Sequence, residues 1–95
     1  MLHLVAFSAQ RHDLLANLLT CVSEGDQLVL LEDGCYLAGR AGQPLFDQLP
    51  AHCQVAIIEK DARARAVEIT QPATPIDHDG LVTLSEQQQA SLSWY

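Results

Sequence analysis

Four consecutive apolar residues, Leu28, Val29, Leu30 and Leu31, constrain this chain more than any other stretch. Glu24-Gly25-Asp26 bounds the run on one side and Glu32-Asp33-Gly34 on the other. A strand with one wet face alternates apolar and polar residues, because successive side chains point to opposite faces. A short run that is apolar throughout predicts a strand covered on both faces, as in the interior of a parallel sheet. The flanking carboxylates are expected just outside it, hydrated. Gly25 and Gly34 are expected to supply the backbone freedom for the turns on either side.

The segments around this strand alternate between strand and helix patterns. Leu2 to Phe7 is apolar apart from His3 and reads as a first strand, followed by a turn over Ser8 to His12. Residues 13 to 22 read as a helix with Leu14, Leu15, Leu18, Leu19 and Val22 on one face, Asp13 as its cap or first-turn acid and Gly25 as its C-terminal cap. Cys35 to Ala38 suggests a short helix ended by Gly39 and Gly42, and Gln43 to Ala51 a loop or helical turn. Gln54 to Ile58 reads as a third strand and Glu59 to Ala66 as a short helix. Gln71-Pro72-Ala73-Thr74-Pro75 reads as a connector, because two prolines forbid a long element there. Ile76 leads a very short fourth strand at most. A last helix carries Leu81, Val82 and Leu84, capped by Asp77 or Asp79, with Thr83-x-x-Glu86 as a rival start. The polar Gln87-Gln88-Gln89 precedes Leu92, Trp94 and Tyr95. Trp94 is expected to pack under the last helix against the sheet, or against a partner.

This alternation predicts a single α/β domain over residues 1–95: three layers, with a largely parallel sheet of about four to five strands flanked by helices. Ninety-five residues bury roughly 60–70% of their unfolded surface, enough for one core. The sequence is 48% hydrophobic and only 18% charged, which favours apolar surface covered by a partner. A formal charge of −7 argues against direct nucleic-acid binding. Lys60, Arg63 and Arg65 cluster, either as a solvated helix face or as a site for an anionic partner. No run approaches the length of a membrane helix and no signal peptide is visible, so a cytoplasmic protein is expected. Three widely spaced cysteines without a Cys-x-x-Cys argue against a disulfide framework or structural zinc, and for reduced thiols.

Several constellations invite a chemical reading. In parallel sheets, sites gather at the carboxyl ends of strands. Glu32, Asp33, Glu59 and Asp61 should share that rim, as turn and cap residues or as ligands of a hard cation. Without a glycine-rich phosphate loop the cation reading stays incomplete; Gly39-Arg40-Ala41-Gly42 is too sparse to be one. His52-Cys53 sets a thiol beside a base in sequence, yet neighbours on an extended chain point apart. Asp77-His78-Asp79 reads as a capped turn or as a tuned imidazole. Cys21 is the strongest single candidate for reactivity, at the margin of an apolar stripe. It lies near a helix C-terminus, whose partial negative charge disfavours a thiolate. Cys35, near the start of a helix, has the better dipole but flanking Glu32 and Asp33. These residues by themselves assign no catalytic, cofactor or metal site.

The chain as a whole resembles the TusB/DsrH family. Ser-Glu-Gly-Asp-x-Leu-x-Leu-Leu-x-Asp-Gly at Ser23 to Gly34 carries most of the likeness. Met1-Leu2-His3 and Ser8 match the family's opening, and Asp61-x-x-Ala64-Arg65 matches its Asp-x-x-Ala-Arg-Gly element with Ala66 in place of the glycine. Pro75-Ile76-Asp77, Leu81-Val82-x-Leu84 and Trp94 match near the end. Ala9 stands where a proline is usual and His78 where a tyrosine is usual.

The resemblance implies a compact DsrEFH-like fold. It also implies a sulfur-relay complex in which TusB-, TusC- and TusD-like subunits, two of each, form a heterohexamer. That complex passes persulfide sulfur from a TusA-like to a TusE-like carrier, towards 2-thiouridine at the wobble position of tRNA. The sulfur-carrying cysteine is implied in the TusD-like subunit, so this chain is expected to be non-catalytic and to need no cofactor. Some DsrH members, in sulfur oxidation, carry a cysteine in the first helix. Aligned on Glu24-Gly25, that position falls nearer Leu18 than Cys21. The alternatives are a DsrH-type carrier using Cys21 as persulfide acceptor, or a free-standing acidic domain that binds a ligand or metal.

Overall fold

The computed structural model describes residues 1–88 and 90–95. In chain order the elements are β1 (Leu2–Val5), α1 (His12–Cys21), β2 (Gln27–Leu30), 3-10 turns over Glu32–Ala38 and Arg40–Gly42, α2 (Gln43–Gln48), β3 (Gln54–Ile58), α3 (Glu59–Ala64), β4 (Thr74–Ile76), α4 (His78–Gln87) and β5 (Ser91–Trp94). The five strands form one sheet in the order β4-β3-β2-β1-β5, with every pairing parallel. The α/β reading holds, at the upper end of the expected strand count.

β2 is interior, as its sequence requires. Leu28 and Leu30 enter the larger core with Val5, Leu15, Leu18, Leu37, Leu45 and Ile57. Val29 points to the other face, against Leu2, Ala56 and Ile58. Each fully buried leucine or valine contributes roughly 1.5–3 kcal/mol. Leu31 falls just past the strand and is half-buried.

α1, the 3-10 turn over Glu32–Ala38, α2 and α3 all supply side chains to the larger core. α4 alone supplies Leu81 and Leu84 to the smaller one. The handedness of crossovers explains this split. Strands β1 to β4 are laid down in one direction, so right-handed connections keep their helices on one face. The step from β4 to β5 runs back across the sheet, and a right-handed crossover then puts α4 on the opposite face.

Several local expectations are corrected, while Asp13 as a first-turn acid and Asp77 as a cap hold. α1 ends at Cys21, and Val22 is already extended, so Gly25 is not its cap. Gly25 instead sits at φ +84 in the turn closed by Asp26 N–H to the Ser23 carbonyl. Asp13 lies inside the first turn of α1, paired with Arg11, which holds the cap position without a capping side chain. The left-handed residue leaving β2 is Glu32, at φ 50, not Gly34. Asp77 caps α4, accepting from the Gly80 amide at 2.8 Å. Thr83 is therefore mid-helix, its hydroxyl donating to the Asp79 carbonyl. Pro75 is tolerated inside β4 because β4 is an edge strand.

The largest departure is the chain's end. Residues 91–94 are β5, paired in register with β1, and Trp94 packs on the α1 face. The expected place under α4 is on the other side of the sheet. In the Gln87-Gln88-Gln89 run, Gln87 ends α4 and Gln89 lies outside the described residues.

Candidate functional site

The carboxyl-end rim does bring Glu32, Asp33 and Asp61 together, but as a structural joint. The Glu32 amide, held in its left-handed conformation, donates to Asp61 Oδ2 at 2.8 Å. Arg65 donates from Nε to Asp33 Oδ1 at 3.0 Å and from Nη1 to the Asp61 carbonyl at 3.4 Å. Glu59 pairs with Arg63 one turn along α3. Asp33 and Asp61 thus tie β2's exit to α3 with the help of Arg65, while the Glu59–Arg63 pair stays within α3. Among the described residues, no group of three or more histidines, cysteines or acidic residues could hold a metal ion.

A concavity of about 870 Å³ lies instead at the amino ends of β2 and β3. Gln27, Phe46, Cys53, Gln54 and Thr83 contribute to its walls. The Gln27 Oε1 atom is buried without a hydrogen-bond partner among the described residues. Cys53 donates weakly to the Ser23 carbonyl at 3.3 Å. His52 turns away from it, at φ 65, towards Glu24 at 3.8 Å. The adjacent thiol and base therefore form no dyad.

The three cysteines occupy different environments. Cys21 is exposed at the end of α1. Cys35 is fully buried under the 3-10 turn, with its thiol towards the Leu30 carbonyl at 3.7 Å. Burial first, then the charges of Asp61 and Asp33, push that thiol up to about 11 against the opposing pull of Arg65. Burial also pushes the Cys53 thiol up.

The most tightly organised polar cluster was not foreseen in the sequence. His3 is fully buried in β1, and Asp26 is 8% exposed rather than hydrated. Asp26 accepts from His3 Nε2 at 3.0 Å, from the Ser23 amide at 2.9 Å and from the Met1 ammonium at 3.0 Å. On its other side, His3 Nδ1 faces Trp94 Nε1 at 3.2 Å. Burial pushes the Asp26 carboxyl up, but the Ser23, His3 and Met1 donors outweigh it and hold the group at about 2. The available signal was His3 itself: a polar side chain in an otherwise apolar strand needs buried partners.

The family profile described as DsrH like protein matches residues 8–91. The chain belongs to the TusB/DsrH family. Protein TusB of Pectobacterium parmentieri is 32% identical over 96 residues, covering 99% of this chain and all of that protein. Protein TusB of Escherichia fergusonii is 33% identical with the same coverage. The solution structure of Tm0979 from Thermotoga maritima superposes with a TM-score of 0.59 at 18% identity, covering 94% of this chain and 95% of that one. That likeness establishes a shared fold. In this TusB/DsrH chain, Ser23 to Gly34 supplies β2, the Asp26 cluster and the Glu32–Asp61 joint. In this chain that stretch is thus a scaffold. Among the described residues, no helix is long and apolar enough to cross a membrane.

Proposed function

We propose that this chain is a non-catalytic subunit of the sulfur relay that thiolates the tRNA wobble uridine, assembled in the cytoplasm with TusC-like and TusD-like subunits. In this reading it meets TusA-like and TusE-like carriers only through that complex, and touches neither tRNA nor membrane. One observation carries the non-catalytic part: among the described residues both the Asp26 cluster and the Asp33–Asp61–Arg65 joint are taken up in structural bonds, and two of the three thiols sit where ionisation is disfavoured. Sulfur transfer needs a thiolate nucleophile. The subunit part is supported by full-length likeness to TusB proteins and by apolar surface left on α4, where no residue is fully buried and Val82 is 53% exposed.

The test is reconstitution with TusC-like and TusD-like proteins. Sedimentation of the trio should give one large species, and Cys21→Ser should leave sulfur transfer near wild type. A chain that stays monomeric beside both partners overturns the reading. The exposure of Cys21 favours a second reading, a persulfide acceptor of the DsrH type. A persulfide mapped to Cys21, with relay lost in Cys21→Ser, would establish that one instead.

A further inference from the structure

We propose that His3 is a proton-operated latch on Trp94, and through it on the surface at the end of β5. An indole N–H can only donate, so Trp94 Nε1 at 3.2 Å requires His3 Nδ1 to accept. The ring's single proton then sits on Nε2 and is donated to Asp26 Oδ2 at 3.0 Å. The ring is fully buried, so neither nitrogen has water as a substitute partner. A second proton has one place to go, Nδ1. Taking it up converts the acceptor into a donor, and two N–H groups then face each other across the Trp94 contact. The same proton turns the Nε2 bond into an ion pair with Asp26, which strengthens it. The histidine therefore keeps its hold on the Asp26 turn and gives up its hold on Trp94.

The groups around the ring are compatible with this. Asp26 faces Nε2, and the Met1 ammonium lies on the other Asp26 oxygen. Glu24 lies on the adjoining turn and Cys53, just before β3, touches that turn at the Ser23 carbonyl; neither bonds the ring. α1, on the same face, carries His12, Asp13 and Cys21, all exposed. β5 itself would stay on the sheet, since Ala6 N–H to the Trp94 carbonyl, 2.8 Å, and Leu2 N–H to the Ala90 carbonyl, 3.1 Å, do not involve the ring. What changes is the indole beside an unguarded edge. Ser91–Trp94 has no charge or proline to deter strand pairing, and Leu92 is 42% exposed, whereas the opposite edge carries Pro75.

The experiment is nitrogen-15 NMR of the full chain between pH 8 and 5, the range in which histidine switches operate. It follows the His3 ring nitrogens and the Trp94 indole N–H together. At pH 8 the His3 ring should show the Nε2–H tautomer. On acidification the indole signal should shift along the same curve as the His3 nitrogens, with β1 amide signals still dispersed. His3→Asn, which offers a fixed carbonyl acceptor, should leave the indole signal flat. Trp94→Phe should keep the Nε2–H tautomer, which Asp26 fixes, but with no donor on Nδ1 the ring should take up its second proton at a higher pH than in the wild type. An Nδ1–H tautomer at pH 8 in the wild type overturns the latch. So does a His3 ring that titrates without moving the indole, or does not titrate at all. If His3→Asn fails to fold, the Trp94→Phe titration decides alone: a ring that takes up its second proton at the wild-type pH there overturns the latch.

Discussion

Gly34 lies directly beneath Val5: a Cβ on Gly34 would stand 1.9 Å from the Val5 carbonyl oxygen. No real side chain comes that close to backbone. That carbonyl also accepts the Leu31 amide at 3.1 Å, so neither partner is free to move. Gly34→Ala should therefore separate β1 from the turn that leaves β2. We expect a loss of more than about 3 kcal/mol, at or beyond the upper range for overpacked cores. Urea unfolding of the variant should show a much lower midpoint or no cooperative transition. Gly25→Ala places a side chain in open space and meets only the penalty of its left-handed φ, about 1 kcal/mol. Equal losses in the two variants would contradict the contact.

Asp26 sets the acid limit of the fold. Its folded carboxyl is held at about 2, below the ordinary value near 4. A depressed carboxyl stabilises the native state above the unfolded value and loses that contribution as pH falls through the folded one. Wild-type stability should thus decline between roughly pH 4 and pH 2. Asp26→Asn should be less stable at neutral pH by about 2–3 kcal/mol, the usual worth of hydrogen bonds to a charged group. Its difference from wild type should shrink across the same acid window. A constant difference from pH 7 to pH 2 would mean that Asp26 does not titrate with folding.

The contrast between Asp26 and Leu28 shows what the sequence made legible. Leu28 to Leu31 announced a buried strand because continuous apolarity has few other solutions. From that strand and its alternating neighbours, the α/β class and parallel sheet followed. Asp26 looked like a hydrated turn residue, since nothing local signals that His3, 23 positions away in sequence, will be brought against it. β5 was hidden for a related reason. Ser91-Leu92-Ser93-Trp94 alternates correctly, but a four-residue edge strand buries too little to stand out from a tail. The rim carboxylates were placed correctly, and only their partners Arg63, Arg65 and the Glu32 amide made them structural.

Trp94 should contribute through its donor as well as its ring. Trp94→Phe keeps much of the packing against the larger core and leaves His3 Nδ1 without a partner. An unsatisfied buried acceptor costs about 1–3 kcal/mol. Trp94→Ala should cost more, yet stay near or below the roughly 3–5 kcal/mol typical of a fully buried aromatic, because this indole is only half-buried. Chemical denaturation of both variants checks the order. If Trp94→Phe matches wild type, the indole hydrogen bond adds nothing to stability.

The thiols should separate by environment when the folded chain is alkylated with iodoacetamide at neutral pH. Cys21, exposed at the end of α1, should react first. Cys53 is half-buried, and burial raises its thiol, so it should follow slowly. Cys35 is inaccessible and held at about 11, which leaves roughly one thiol in 10⁴ ionised at pH 7. It should be labelled only at the rate of unfolding, and denaturant should erase the difference between the three. Mass spectrometry of timed samples reads this order directly. Rapid labelling of Cys35 in the folded chain would mean that the turn over Glu32–Ala38 opens readily, and would return Cys35 to the set of possible sulfur acceptors.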